Sequence, residues 1–407
     1  MGKISIDATN SIKESYRILR KLEYDVPTAL FEFVDNSIQS YINDREKLKE
    51  VGIDSQNRIV EIFFNRQEKS IVISDNAGGM DEEAIKRAFK PGTPPPDKSG
   101  LSEFGLGMKG AAQWLCESWK VETKAVNSSQ KYIVLVDDNN MNEDDKFIEA
   151  EVIEGEPNND HYTEIELFNL QETVTKTQID ILLEKIGAVY GRFIKAWGLQ
   201  VIVHDSASGT PRQAEMYFEG GKDDEKVIPY KKKLINGVEV ELIKKFNFEI
   251  DDGLENDESK RKVEVKALVF LPGAAAKAGI HIFRRQRIIE GGRHEGRKPY
   301  SIFKAPNSFI SQRLYIECEM DGWPVSASKR KIRFPGDSYE KFLSELEKNL
   351  RDGNDYIDEA NTLRTKKGGD GEDTTTHIDA VEAGKAVVEE VKDVLNQTYM
   401  EIDNSPY

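Results

Sequence analysis

The chain has 407 residues, of which 32% are charged and 38% hydrophobic, with a formal charge of −16 and a mean hydropathy of −0.58. That length suffices for two domains with their own cores, the charge argues against a surface that coats nucleic acid throughout, and no run approaches the ~18 apolar residues of a membrane span. Cys116 and Cys318 lie far apart, fit a reducing compartment and offer no metal-ligand cluster, and MGKISIDATN lacks a signal peptide's apolar core, so a cytoplasmic protein is expected.

Ile12, Tyr16, Ile18, Leu19 and Leu22 recur at helical spacing, which predicts an amphipathic helix over 11–22. Pro27 suits the start of the next helix, predicted over Ala29–Tyr41. Within it, ALFEFVDNSIQS places Glu32 and Asn36 four residues apart, and at roughly 3.6 residues per turn both side chains face the same neighbour. Glu32 can orient and deprotonate a water, and the amide oxygen of Asn36 is a hard ligand suited to Mg²⁺ that also touches phosphate. A solvated helix face would read the same way, so the pair gains meaning only from two later segments.

Arg58–Asn65 and Ser70–Ser74 read as a hairpin joined by RQEK. The run IVISDNAGGM, from Ile71 to Met80, stops at Asp75 and small residues. A carboxylate there, backed by glycines that admit a flat ring, can accept a hydrogen bond from the amine of adenine. Asp81 reads as the N-cap of a helix ending at Phe89. KPGTPPPDKSGLS, over 90–102, contains three consecutive prolines and reads as an irregular lid loop. In GLSEFGLGMKGAA, over 100–112, glycines lead into a helix predicted for Met108–Cys116, offering backbone N–H groups and a helix N-terminus to phosphates, with Lys109 as a point charge.

Strands are predicted over Ser118–Ala125, Lys131–Asp137 and Tyr162–Phe168, the last two separated by an acidic insertion around one short strand. A helix over Thr177–Trp197 gives way to a strand at Leu199–Val203. The charge-dense stretch 220–262 holds strands at Val238–Ile243 and Phe246–Ile250, and VEVKALVFL is a clear strand over Val263–Leu271. From Lys277 to Arg333 there are thirteen Lys and Arg against five Asp and Glu, a basic window that could bind nucleic-acid phosphates or complement acidic surfaces of the same protein. Asp337–Leu350 reads as a capped amphipathic helix, 351–376 as a flexible linker, and 377–399 as a final helix suited to docking or self-association.

The order E-x-x-x-N, then a strand ending D-N-A-G-G-M, then G-x-G-x-K-G, all within the first 112 residues, resembles the GHKL superfamily of ATPases, which groups DNA gyrase, the heat-shock chaperone ATPases, histidine kinases and MutL. The wording ALFEFVDNSIQS with DNAGGM looks most like the MORC branch and its stand-alone prokaryotic relatives. The resemblance implies an α/β (α+β) architecture: a Bergerat-type two-layer α/β sandwich ATPase domain over 1–172, then a smaller transducer-like α/β domain of the ribosomal-protein-S5-like type over 173–350. The linker and a tail over 377–407 would follow. It implies that Glu32 is the general base, that Asn36 binds Mg²⁺ and the phosphates, and that Asp75 recognises adenine beside Gly79 and Met80. The segment Gly105, Leu106, Gly107, Met108, Lys109 and Gly110 would close, within a lid over 92–110, on the triphosphate.

Thr163 in Y-T-E-I-E-L matches the family's T-x-I-x-I strand, whose hydroxyl supports the adenine-binding Asp. One departure is Ala77, which stands where the family commonly has the first glycine of D-x-G-x-G and disfavours positive φ. GIHIFRRQRIIEGG resembles a family strand pair, and WPVSASKRKIRF resembles the loop that lends a lysine to the γ-phosphate; Lys329 is the match and Lys331 the competitor. In relatives the N-terminal segment can reach a second protomer, the alternative being a helix packed on its own domain. The implied activity is ATP hydrolysis with Mg²⁺, ATP and ADP as ligands, and a homodimer on ATP binding. The expected output is action on DNA through 277–333, in genome maintenance or defence against foreign DNA, with a chaperone-like ATPase acting on a protein partner as the alternative. A sensor kinase is disfavoured because no phospho-acceptor histidine helix precedes the motifs, and a type II topoisomerase because no tyrosine-bearing cleavage domain follows.

Overall fold

In the computed structural model the described residues are 11–22, 24–54, 56–95, 100–143, 145–157, 160–216, 232–235, 238–241, 243–251, 260–270 and 273–362. The first ten residues, most of 217–242, the insertion over 252–259 and the expected C-terminal helix and tail lie outside them. The described residues up to Ile186, with Trp197–Ala214, form one compact unit; Gly187–Ala196 and the described residues from Glu215 onward form another. The boundary expected at 172 does not coincide with this division.

The first unit opens with α1 (Ile12–Leu19), whose start is a reciprocal cap: Ser11 accepts from the amide of Glu14, and the Glu14 carboxylate accepts from that of Ser11. Its apolar face buries Tyr16 and Leu19 against the same unit, where the Tyr16 hydroxyl donates to the carbonyl of Phe89 at 3.0 Å. The described part of this N-terminal helix thus packs on its own domain. Next comes α2 (Val26–Asn43), capped by Asp25 and carrying Pro27 in its first turn, where no intrahelical N–H is needed. Apolar residues occupy nearly all of its sides, and fourteen of its eighteen residues are buried, so it is a core helix.

After α3 (Arg45–Glu50) the chain forms β1 (Ile59–Asn65), β2 (Ser70–Asp75), α4 (Glu82–Phe89), α5 (Gly107–Leu115), β3 (Cys116–Lys124), β4 (Gln130–Asp137), β5 (Ala150–Glu154) and β6 (Tyr162–Leu170). The expected single helix over 177–197 is two, α6 (Lys176–Val189) and α7 (Gly191–Trp197). The break falls at Tyr190, just before Gly191, a residue type that weakens a helix interior by about 1 kcal/mol. A Cβ on Gly191 would stand 3.0 Å from Met216. Strands β7 (Gln200–Asp205) and β8 (Arg212–Gln213) then return to the first sheet, β7 running parallel to β1.

That sheet has the order β5-β4-β3-β6-β2-β1-β7-β8, and every pairing except β1 with β7 is antiparallel. Alternation along the strands decides its two faces. Val60, Ile62, Ile71, Ile73, Trp119, Val121, Ile165 and Leu167 are buried. Between them Lys120, Glu122, Glu164 and Glu166 stay partly exposed and carry the ion pairs Lys120–Glu166 (2.9 Å) and Lys131–Glu122 (3.2 Å). A sheet with one apolar and one charged face is half of a two-layer arrangement, and α5 packs against both α1 and α2 and also meets β3 and β6.

The second unit contains the short pair β9 (Lys232–Ile235) and β10 (Val238–Glu241), then β11 (Ile243–Asp251), β12 (Lys260–Val269), β13 (Gly279–Arg284) and β14 (Arg287–Glu290). Then follow α8 (Tyr300–Phe303), α9 (Phe309–Arg313), β15 (Leu314–Glu319), α10 (Ser338–Arg351) and α11 (Tyr356–Thr362). Its five-stranded sheet has the order β11-β12-β15-β13-β14, with β13 parallel to β15. The turn between β13 and β14 has positive φ at both Arg285 (51°) and Gln286 (65°), the handedness that matches strand twist in a two-residue hairpin. Asp337 precedes α10 but makes no capping bond, pairing instead with Lys341 at 2.8 Å. Residues 356–362 of the expected linker are helical, with Tyr356, Ile357 and Ala360 buried. Both cysteines are buried free thiols, and no helix among the described residues is long and apolar enough to cross a membrane.

Candidate active site

Helix α2 supplies the first side chains. Glu32 is 1% exposed, and one turn on, the Asn36 Oδ1 accepts a hydrogen bond from the Ser102 hydroxyl at 2.8 Å. On the same face Gln39 accepts from the backbone N–H of Ser102 at 3.3 Å, and a Cβ on Gly100 would collide with the Gln39 amide at 1.7 Å. A Cβ on Gly107 would come within 2.1 Å of Glu32 Oε2, so glycine is needed there for backbone to lie against the carboxylate. The glycine-rich segment therefore lies along the face of α2 that carries Glu32 and Asn36. Tyr24 completes this end: burial first, then the nearby carboxylates of Glu32 and Asp35, push its phenol up, which keeps it neutral.

Asp75, the last residue of β2, stands beside α2, where the Ser37 hydroxyl donates to its Oδ2 at 2.5 Å. The Ala77 N–H donates to Oδ1 at 3.0 Å, and Thr163, its register partner on β6, adds a backbone bond. Burial raises the Asp75 carboxyl above the usual range and outweighs these bonds, which favour the ionised form. The Thr163 hydroxyl is 3.0 Å from that of Thr123. Thr123 donates to the carbonyl of Tyr162 at 2.9 Å and accepts from the N–H of Met80 at 3.0 Å, so its one hydrogen is spent and Thr163 is the donor between them. The hydroxyl partner of Thr163 is thus Thr123, whereas the sequence had pointed to Asp75; what Asp75 receives from Thr163 is a backbone bond. Positive φ falls on Gly79 (67°), whose Cβ would stand 1.9 Å from the Lys124 carbonyl, and Ala77 keeps out of the left-handed region.

Gly105 has φ 63° and packs against the backbone of Thr93. Leu106 precedes α5 without a side-chain cap, leaving the first amides of the helix, from Gly107, Met108 and Lys109, for an anionic ligand. Gly110 packs on Leu22, and Met108 is buried. Lys109 departs from expectation. It is 3% exposed, its ammonium donates to the Ala88 carbonyl, and burial lowers it to about 8. A side chain in the first turn of α5 is carried into the core, so the charge expected at the phosphates sits at the end of α4 instead.

Residues 24–165 match the family of histidine kinase-, DNA gyrase B-, and HSP90-like ATPases. No curated protein matches the chain. The match supports the GHKL superfamily and, with it, ATP binding and hydrolysis, for a segment that runs from Tyr24 to Ile165 and so takes in Glu32, Asn36, Asp75, the glycine-rich segment and Thr163. Among the described residues, no group of three or more His, Cys, Asp or Glu could hold a metal ion. A Mg²⁺ ion here would rely on Asn36 and on the oxygens of a nucleotide. The partly exposed carboxamide of Asn36, an oxygen donor with one lone pair left beside Ser102, fits that demand.

Lys329 and Lys331 belong to the second unit. Lys329 is buried in a turn at φ 51°, its N–H on the Ser326 carbonyl at 2.8 Å, and Lys331 is exposed. The basic window is divided. Arg297 pairs with Glu290 at 2.7 Å and Arg287 is buried, whereas Arg293, Lys304, Arg330, Lys331 and Arg333 are exposed. Sequence reasoning missed Ser37, Ser102, Gln39 and Thr123. Ser37 was within reach, since it adjoins Asn36 on α2; the others are set by which strands and loops become neighbours.

Proposed function

We propose that the protein is an ATP-driven conformational switch of the GHKL type, MORC-like, acting on DNA through nucleotide-dependent closure of a dimer. The convergence of Glu32, Asn36, Asp75 and an uncapped helix N-terminus within one unit carries the proposal. Asp75 accepts from the exocyclic amine of adenine, with Ser37 and the Ala77 amide holding the carboxylate in place. The amides at the start of α5 face the phosphates. Glu32, against Gly107, takes the proton of the attacking water. Asn36 would hold Mg²⁺, which when bound would supply charge neutralisation at the phosphate oxygens. Lys329, with Lys331 as the alternative, adds a cation at the γ-phosphate and links nucleotide state to the second domain.

The DNA reading is supported by the exposed cations of the 277–333 stretch in a chain of net charge −16. Calorimetry with ATP and Mg²⁺ tests the first step, and a protein that releases no heat overturns the reading. DNA should then stimulate turnover, with binding that weakens steeply as salt rises. Turnover indifferent to DNA at low salt would assign the switch to a protein client.

A further inference from the structure

We infer that His161 is a positioning residue for base recognition, fixing the backbone on which the Asp75 carboxylate rests. This builds on the ATP-site reading above. His161 Nδ1 is 2.8 Å from the carbonyl oxygen of Ala77. A carbonyl only accepts, so Nδ1 carries the hydrogen and donates, which fixes the tautomer of the neutral ring. Ala77 is 0% exposed and is held from both sides: its carbonyl by His161 and its N–H by Asp75 Oδ1 at 3.0 Å. The direction of the carboxylate and the position of the imidazole are therefore joined through one residue, Ala77, whose N–H and C=O belong to successive peptide units. His161 also lies close enough to Asp75 for its charge, when present, to favour the ionised carboxylate.

The histidine is itself anchored. Lys124 is 0% exposed and donates to the carbonyl of Pro157 at 2.6 Å and to that of Asp160, the residue before His161. On the other side, the carbonyl of Tyr162 accepts from Thr123 at 2.9 Å, and its phenol donates to Glu122 at 2.6 Å. The neighbouring peptides are held in the same manner, Gly78 through its carbonyl to the Val126 N–H at 2.9 Å and Met80 through its N–H to Thr123. His161 is the side chain that completes this frame around Asp75–Met80. A buried carbonyl left without its donor would let the segment shift.

Base discrimination separates this role from mere support. Guanine presents an oxygen where adenine presents its amine, so a carboxylate held in place rejects it and a loosened one discriminates less. In the full-length chain, His161→Ala should weaken ATP binding about tenfold, with kcat within about twofold and a smaller ATP-over-GTP preference in calorimetry. His161→Asn, whose amide nitrogen can donate in place of Nδ1, should restore most of both. The inference is overturned if the wild type binds ATP and His161→Ala binds it equally well, or if His161→Asn is no better than His161→Ala. It is also overturned if the loss of affinity leaves the ATP-to-GTP ratio unchanged while the melting temperature of the nucleotide-free protein drops. A wild type that binds no ATP would instead remove the ATP-site reading, and this inference with it.

Discussion

In the second unit Arg192 is packed against Glu317 at 3.2 Å and Glu319, with its guanidinium 3.6 Å over the ring of Phe283, whereas in the first unit Asp75, Lys109 and Lys124 are packed against hydroxyls, amides and carbonyls. The consequences differ. Burial raises Glu319 to about 7 even beside Arg192, but against the same burial Lys266 and Arg192 hold Glu317 low. The charges of that cluster cancel, and it works as a fastener. Around Asp75 the bonds come from neutral donors and burial raises the carboxyl, so no cation among the described residues is paired against its oxygens and they are left to meet a ligand.

The comparison can be broken in order of effect. Glu32→Gln should keep ATP binding in calorimetry and lose turnover by about 10²–10⁴-fold, the usual contribution of a positioned base; turnover within tenfold of wild type would place the base elsewhere. Arg192→Met leaves Glu319 without its cation and Glu317 with Lys266 alone, and should destabilise the second unit by about 3–5 kcal/mol in denaturant unfolding. If that variant unfolds as the wild type does, the cluster is no fastener. Asp75→Asn should weaken ATP binding by roughly tenfold or more with little loss of stability, because the amide can keep only some of the bonds from Ser37 and Ala77.

The smallest effect is at Lys109. Its folded value of about 8 lies below the ordinary 10.5, so between those values the unfolded chain binds more protons and stability rises with pH. Below pH 8 both states are protonated and the full penalty of burial remains, at most ~3 kcal/mol. Lys109→Met should abolish the rise between pH 8 and 10.5, as read by thermal melts across that range.

The sequence made local features legible. The start of α2 at Pro27, capping by Asp81, the strands β1 and β2 and the order of the three motifs are all set within a few residues, and the structure has them. Partnerships across the chain were not legible. Ser102 on Asn36, Thr123 under Met80 and His161 on Ala77 depend on which elements become neighbours. Lys109 shows the same limit from the other side, since spacing placed it on α5 but could not say that its face of the helix is buried. The break at Tyr190 was missed because the apolar stripe runs on through both helices, and periodicity is blind to one weak helix former, Gly191, beside it.

The parallel pairing of β7 with β1 makes the first unit discontinuous along the chain, its sheet completed only after Gly187–Ala196 have been given to the second. No single scissile point therefore releases the whole first unit. A fragment cut at residue 172 would carry every motif residue of the first unit and still leave one side of β1 as a bare row of amides and carbonyls, a template for stacking with other copies. Such a piece would be expected to precipitate, and a swap of modules between relatives would have to carry the chain through Ala214 to preserve the fold.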